Sequence, residues 1–113
     1  MSHQFNRRLE HFAPVSLPDG TGGRVTSWEA RGAFWAAIRM RSGALRPTEF
    51  GRDPRLRVRL RTHAIPQGHA TRPEAGHRLR DGARVYEVEA VHDGDDMYLT
   101  ILAAETPGAE DLP

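Results

Sequence analysis

The 113-residue chain is 38% hydrophobic with a formal net charge of +1, which is enough for one core and too little for two. It holds no cysteine, excluding a disulfide framework and thiolate chemistry, and no apolar run near the ~20 residues of a membrane-crossing helix. Eleven glycines and eight prolines break the chain often and favour short strands over long helices.

Residues 1–6 read as a flexible N-terminus. Met1 to Arg8 has no apolar stretch after its charges and so does not resemble a signal peptide. Leu9 to Leu17 alternates imperfectly and meets the turn Pro18-Asp19-Gly20-Thr21-Gly22-Gly23. Arg24 to Ala30 reads as the returning strand of a first hairpin. After Arg31-Gly32, the segment Ala33 to Arg41 fits a further strand, given its aromatics and flanking Gly32 and Gly43. Ser42 to Pro54 is a polar connection with room for one helical turn around Thr48-Glu49-Phe50. Arg55 to Arg61 alternates without a fault, placing Leu56, Val58 and Leu60 on one face and four arginines on the other. Ala64 to Gly76 is a loop. His77 to Arg80 leads to the turn Asp81-Gly82. Ala83 to His92 and Met97 to Ala104 form a second hairpin around Asp93-Gly94-Asp95-Asp96. Residues 105–113 read as a disordered acidic tail. About six short strands in residues 7–104 predict a single all-β domain, a small antiparallel β-barrel or sandwich with long loops. Closure is favoured because an open sheet of this size leaves exposed edges.

Charge is unevenly placed. Residues 1–84 hold all sixteen basic residues, every one arginine, and seven acids, a net +9; residues 85–113 hold eight acids and no base, a net −8. Such a chain can bind copies of itself head to tail or offer its basic part to nucleic acid. Arg55, Arg57, Arg59 and Arg61 share one strand face and are the candidate interface. With Arg39, Arg41, Arg46 and Arg52 they make eight arginines within residues 39–61, opposed only by Glu49 and Asp53. A solvated outer face or a guarded edge is the plain alternative to a contact face for acidic protein or phosphate. Phe50 is the only aromatic between residues 36 and 85, so a stacking platform for single-stranded nucleic acid is poorly supported.

Catalytic and cofactor motifs are missing. Gly20-Thr21-Gly22-Gly23-Arg24-Val25 has Val25 where a dinucleotide fingerprint needs glycine. The acidic turn at Asp93 has Tyr98 and Ala104 where a calcium loop needs glycine and glutamate. The six histidines lack zinc-site spacing, apart from a loose loop cluster of His63, His69 and His77. No enzyme activity, no cofactor and no metal are expected. Trp28 and Trp35 are read as core or inter-subunit packing.

In order along residues 7–103, the segments resemble the phage head–tail joining family, the head closure or stopper proteins, including those of gene transfer agents. The resemblance rests on Arg7-Arg8-Leu9-Glu10-His11, on Asp19-Gly20 to Gly23 with Trp28-Glu29, and on Phe34-Trp35-Ala36-Ala37-Ile38 followed by Ser42-Gly43. It continues in Arg59-Leu60-Arg61, in Asp81-Gly82-Ala83-Arg84-Val85-Tyr86-Glu87-Val88 and in Tyr98-Leu99-Thr100-Ile101. The connection Ser42–Pro54 is shorter than in relatives, and the loop Ala64–Gly76 longer. The resemblance implies a β-barrel subunit of a homo-oligomeric ring, a hexamer favoured over a dodecamer. The ring would sit in the neck of a virion or virus-like particle assembled from proteins made in the bacterial cytoplasm. Its implied partners are a portal adaptor protein, a tail terminator or tail tube protein, and duplex DNA passing through the channel, with no membrane. It implies that the loop with Ser42, Gly43, Arg46, Glu49, Phe50, Gly51 and Arg52 closes that channel. A tail terminator and an OB-like nucleic-acid-binding module are the competing readings.

Overall fold

The computed structural model describes residues 5–42, 46–48, 51–53, 56–94, 97–106 and 112–113, and for residues 41–55 it describes strand backbone only. Among these residues there is no helix. Eight strands occur: β1 (Arg7–Pro18), β2 (Arg24–Ser42), β3 (Arg46–Thr48), β4 (Gly51–Asp53), β5 (Arg57–His63), β6 (Arg78–Asp81), β7 (Arg84–Asp93) and β8 (Tyr98–Glu105). Six antiparallel strands form one sheet in the order β1-β2-β5-β8-β7-β6, which closes in a ring where β1 meets β6; β3 and β4 form a separate pair. The all-β expectation therefore holds, in the closed form.

The two segments predicted as separate strands, Arg24–Ala30 and Ala33–Arg41, are one strand, β2. The sequence signal for a break, Arg31-Gly32, is a bulge: the register with β1 shifts between His11 and Phe12, which face Gly32 and Ala30. Gly32 takes φ +106°, a conformation that a side chain resists, so the strand bends there without ending. The helical turn expected around Thr48-Glu49-Phe50 is not formed at Thr48, which belongs to β3 and pairs with Gly51 of β4; Glu49 and Phe50 lie outside the described residues. Pro47 and Gly51 disfavour a helix there.

Alternation fills the interior. Val58, Leu60 and Thr62 of β5 face Ala103, Ile101 and Leu99 of β8. Together with Leu9, Ala36, Leu79, Tyr86 and Val88, these residues other than Thr62 build the main core, with Phe34, Ile38, Leu56, Ile65 and Val91 at its margin. A second cluster joins Phe12 and Val85 to Leu112, against Trp28. Residues 107–111 of the tail lie outside the described residues. Its last part lies on the barrel, with Leu112 buried and the Pro113 carbonyl accepting from Arg80 Nη1 at 3.1 Å.

Residues 64–77 are the expected loop, strapped to the barrel by long-range hydrogen bonds. Arg72 is buried; its Nη1 donates to the Ile65 carbonyl at 2.7 Å and to Asp93 Oδ1 at 3.0 Å, and its Nη2 reaches Asp93 Oδ2 at 3.3 Å. Arg31 Nη1 holds the Ala70 carbonyl at 3.0 Å. His11 of β1, 1% exposed, meets His77 at the end of the strap, Nε2 to Nδ1 at 2.7 Å.

Candidate assembly surface

Inward positions of β2 are Phe34, Ala36 and Ile38, so Trp35, Ala37 and Arg39 point out. The ladders align these residues with their neighbours in rows across the outer wall. Ala37, Arg61, Thr100 and His92 form one row; Arg39, Arg59, Leu102 and Ala90 the next; Ser42, Arg57, Ala104 and Glu87 the third. The arginine face predicted for residues 55–61 is therefore real for Arg57, Arg59 and Arg61. Arg55 lies outside the described residues.

The three arginines differ in what they touch. Arg57 Nε is 3.8 Å from Glu89 Oε2. The arginine and Glu87 flank Ala104 from either side, which explains why an outward alanine is buried. The Arg61 guanidinium lies 5.9 Å from the Tyr98 ring centroid. Arg59 stands directly opposite Arg39, both exposed, and among the described residues neither has a carboxylate partner. Like charges facing each other across two strands oppose folding.

At one end of the wall lies a row that sequence reasoning missed. Trp35 faces Arg8 of β1 and is 54% exposed. His63 faces Tyr98, and Phe5 meets both rings edge-on, with centroids 4.6 Å and 5.9 Å away. Aromatic and basic residues are thus interleaved in space although not along the chain, because Phe5, Trp35, His63 and Tyr98 come from four separate segments. The in/out alternation of Phe34-Trp35-Ala36 was the available signal for Trp35.

At the other end, β1 and β2 run on past the barrel. The pairing of β1 with β6 stops at Phe12, whereas its pairing with β2 continues to Pro18 and Arg24. Beyond Ala13 the two strands are a ribbon without a third strand among the described residues. Leu17 and Val25 face each other near its tip, 44% and 51% exposed. Asp19 closes the turn: its Oδ1 accepts from Thr21 N at 2.8 Å, Thr21 Oγ1 at 2.9 Å and Gly23 N at 3.0 Å. These bonds hold its carboxyl below the usual range, so the tip keeps its negative charge. Trp28, by contrast, is half-buried under the Arg78 guanidinium at 4.4 Å.

Of the candidate channel-closing residues, Ser42 ends β2 opposite Arg57, Arg46 pairs with Asp53, Arg52 with Pro47 and Gly51 with Thr48. Gly43, Glu49 and Phe50 lie outside the described residues. The histidines do not converge: His63 joins the aromatic row, His69 Nδ1 meets Thr71 Oγ1 at 2.9 Å, and His77 meets His11. Among the described residues no three His, Asp or Glu side chains gather as a metal site.

The closed β-sheet thus exposes an arginine pair, an aromatic row and a projecting ribbon. Residues 2–106 match the family of phage head completion proteins. The chain belongs to that family, and is a phage head-related structural protein, not an enzyme. It is similar to a chain in the virion of a native gene transfer agent particle, with 34% identity and a TM-score of 0.73, covering 91% of this chain and 96% of that one. It also resembles protein SF1141 from Shigella flexneri 2a, known from a solution structure, at 23% identity and a TM-score of 0.63, with 96% of each chain covered. That second likeness speaks for the fold alone. No curated protein matches.

Proposed function

We propose that this chain is a head closure subunit in the neck of a tailed phage or gene transfer agent particle. It forms a ring between a portal adaptor and the tail terminator or tail tube, and duplex DNA passes through the ring. The observation that carries the reading is the likeness to a chain of a gene transfer agent virion over nearly the whole of both chains. Membership in the head completion family supports it. A hexamer is favoured over a dodecamer.

The excursion between β2 and β5 is the channel-closing element in this reading. It leaves the sheet beside Arg39 and returns beside Arg57 and Arg59, and it carries Arg46 and Arg52. Basic residues there suit contact with packaged phosphate. Its described part is the short β3–β4 pair. Arg55, Arg57, Arg59 and Arg61 are the candidate interface, with Arg59 and Arg39 as its available charge. Deleting Arg46–Arg52 should give particles that assemble but leak DNA, measured as nuclease-sensitive DNA. Tight, DNA-delivering particles from that variant would refute the closing role. Particles lacking the chain altogether should show filled or leaking heads without tails in electron microscopy.

A further inference from the structure

We propose that the β1–β2 ribbon of one copy docks on the aromatic end of the outer wall of the next copy. This rests on the ring reading and names its subunit contact. A two-stranded ribbon without a third strand is marginal in water. Here it nonetheless carries an exposed apolar pair, Leu17 and Val25, instead of the polar residues that would suit a free arm. The aromatic row sits at the opposite end of the same two strands. Leu17 and Arg8 are nine residues apart on β1, ~30 Å in an extended strand.

The two surfaces differ in kind. One is a narrow tip with two aliphatic side chains and the Asp19 carboxylate, whose Oδ2 takes no hydrogen bond among the described residues. The other is a wall with Trp35, His63 and Tyr98, bordered by Arg8 and Arg61. Trp, Tyr and Arg are the residues that dominate protein interfaces. The acid at the tip matches the two cations at the wall. Unlike surfaces at opposite ends of one chain make a heterologous contact, which repeats from copy to copy and closes into a ring when the rotation permits.

The absence of cysteine makes the contact testable by disulfide trapping. Val25→Cys and Arg8→Cys are made in separate chains, one carrying a mass tag, and mixed under mild oxidation. The hetero-disulfide should exceed both homo-disulfides, and the double variant in one chain should give a ladder of covalent oligomers. Leu17→Asp, with the strand signal in circular dichroism unchanged, should reduce trapping about tenfold. Homo-disulfides formed as fast as the hetero-disulfide, no trapping, or trapping indifferent to Leu17→Asp would overturn the docking. If trapping fails while particles still need this chain to seal, the ribbon serves another neighbour and the connector reading stands. A chain dispensable for sealing would instead remove the connector reading itself.

Discussion

Arg59 faces Arg39 with Cβ atoms ~5 Å apart, the spacing of directly opposed residues on neighbouring strands. No described carboxylate relieves the repulsion, unlike at Arg57, where Glu89 does. Arg59→Glu should therefore stabilise the isolated barrel by roughly 0.2–1 kcal/mol, since an opposed acid and base replace two bases. Urea denaturation measures this, and a clear loss of stability would show Arg59 to be structural. The same variant should be incorporated into particles less well than the wild type. The sequence made the outward direction of these arginines plain, because Arg57-Val58-Arg59-Leu60-Arg61 has a strict period of two. It hid which of them are engaged, since Glu89 and Tyr98 reach them from β7 and β8, far along the chain.

Among the elements, β2 was legible as two strands and only the fold makes it one. Turn signals such as Arg31-Gly32 mark a break in local conformation, and a bulge is such a break inside a continuous ladder. At φ +106° Gly32 has open space around its Cα, with nothing within 4 Å of an added Cβ. Gly32→Ala should thus destabilise by conformational strain and not by a clash, by about 1–2 kcal/mol in chemical denaturation. A neutral result would mean that the bulge relaxes. The hairpins at Pro18–Gly23 and Asp93–Asp96 were readable because their turns are local. The strapping of the loop at residues 64–77 was not, because its anchors are Arg31, Asp93 and His11, and glycine- and proline-rich segments look loose until their distant partners are known.

At the scale of the whole molecule, His11 and His77 join β1 to the end of the 64–77 segment. The Glu74 amide donates to His77 Nδ1 at 3.3 Å, so that atom is an acceptor and His11 Nε2–H donates to it. Burial first, and then His77 and Arg31, push the His11 pKa down to about 4. Burial lowers that of His77 as well, with Arg31 acting in the same sense and Glu74 against it. Unfolded chains bind a proton near pH 6.5 that folded His11 refuses. Stability is therefore full above that pH and falls between pH 6.5 and 4, by about 2–3 kcal/mol from His11 at the lower end. Urea midpoints across this window should show the fall, and His11→Gln should flatten it. The lowered carboxylate of Glu10 adds to the fall at the acid end of this window, and that of Asp93 below it.

Among the described residues the six-stranded ring closes through three residue pairs, Glu10 with Arg80, His11 with Leu79 and Phe12 with Arg78. The Arg80 guanidinium grips both Glu10 carboxylate oxygens there, at 3.0 Å each. These partners are separated by about seventy positions, whereas the hairpins pair near neighbours. Loop-closure entropy makes distant pairings slow to form. The polypeptide should accordingly shut this short seam last, after its hairpins have zipped locally, with two ion pairs, Arg80–Glu10 and Arg7–Asp81, as its clasps.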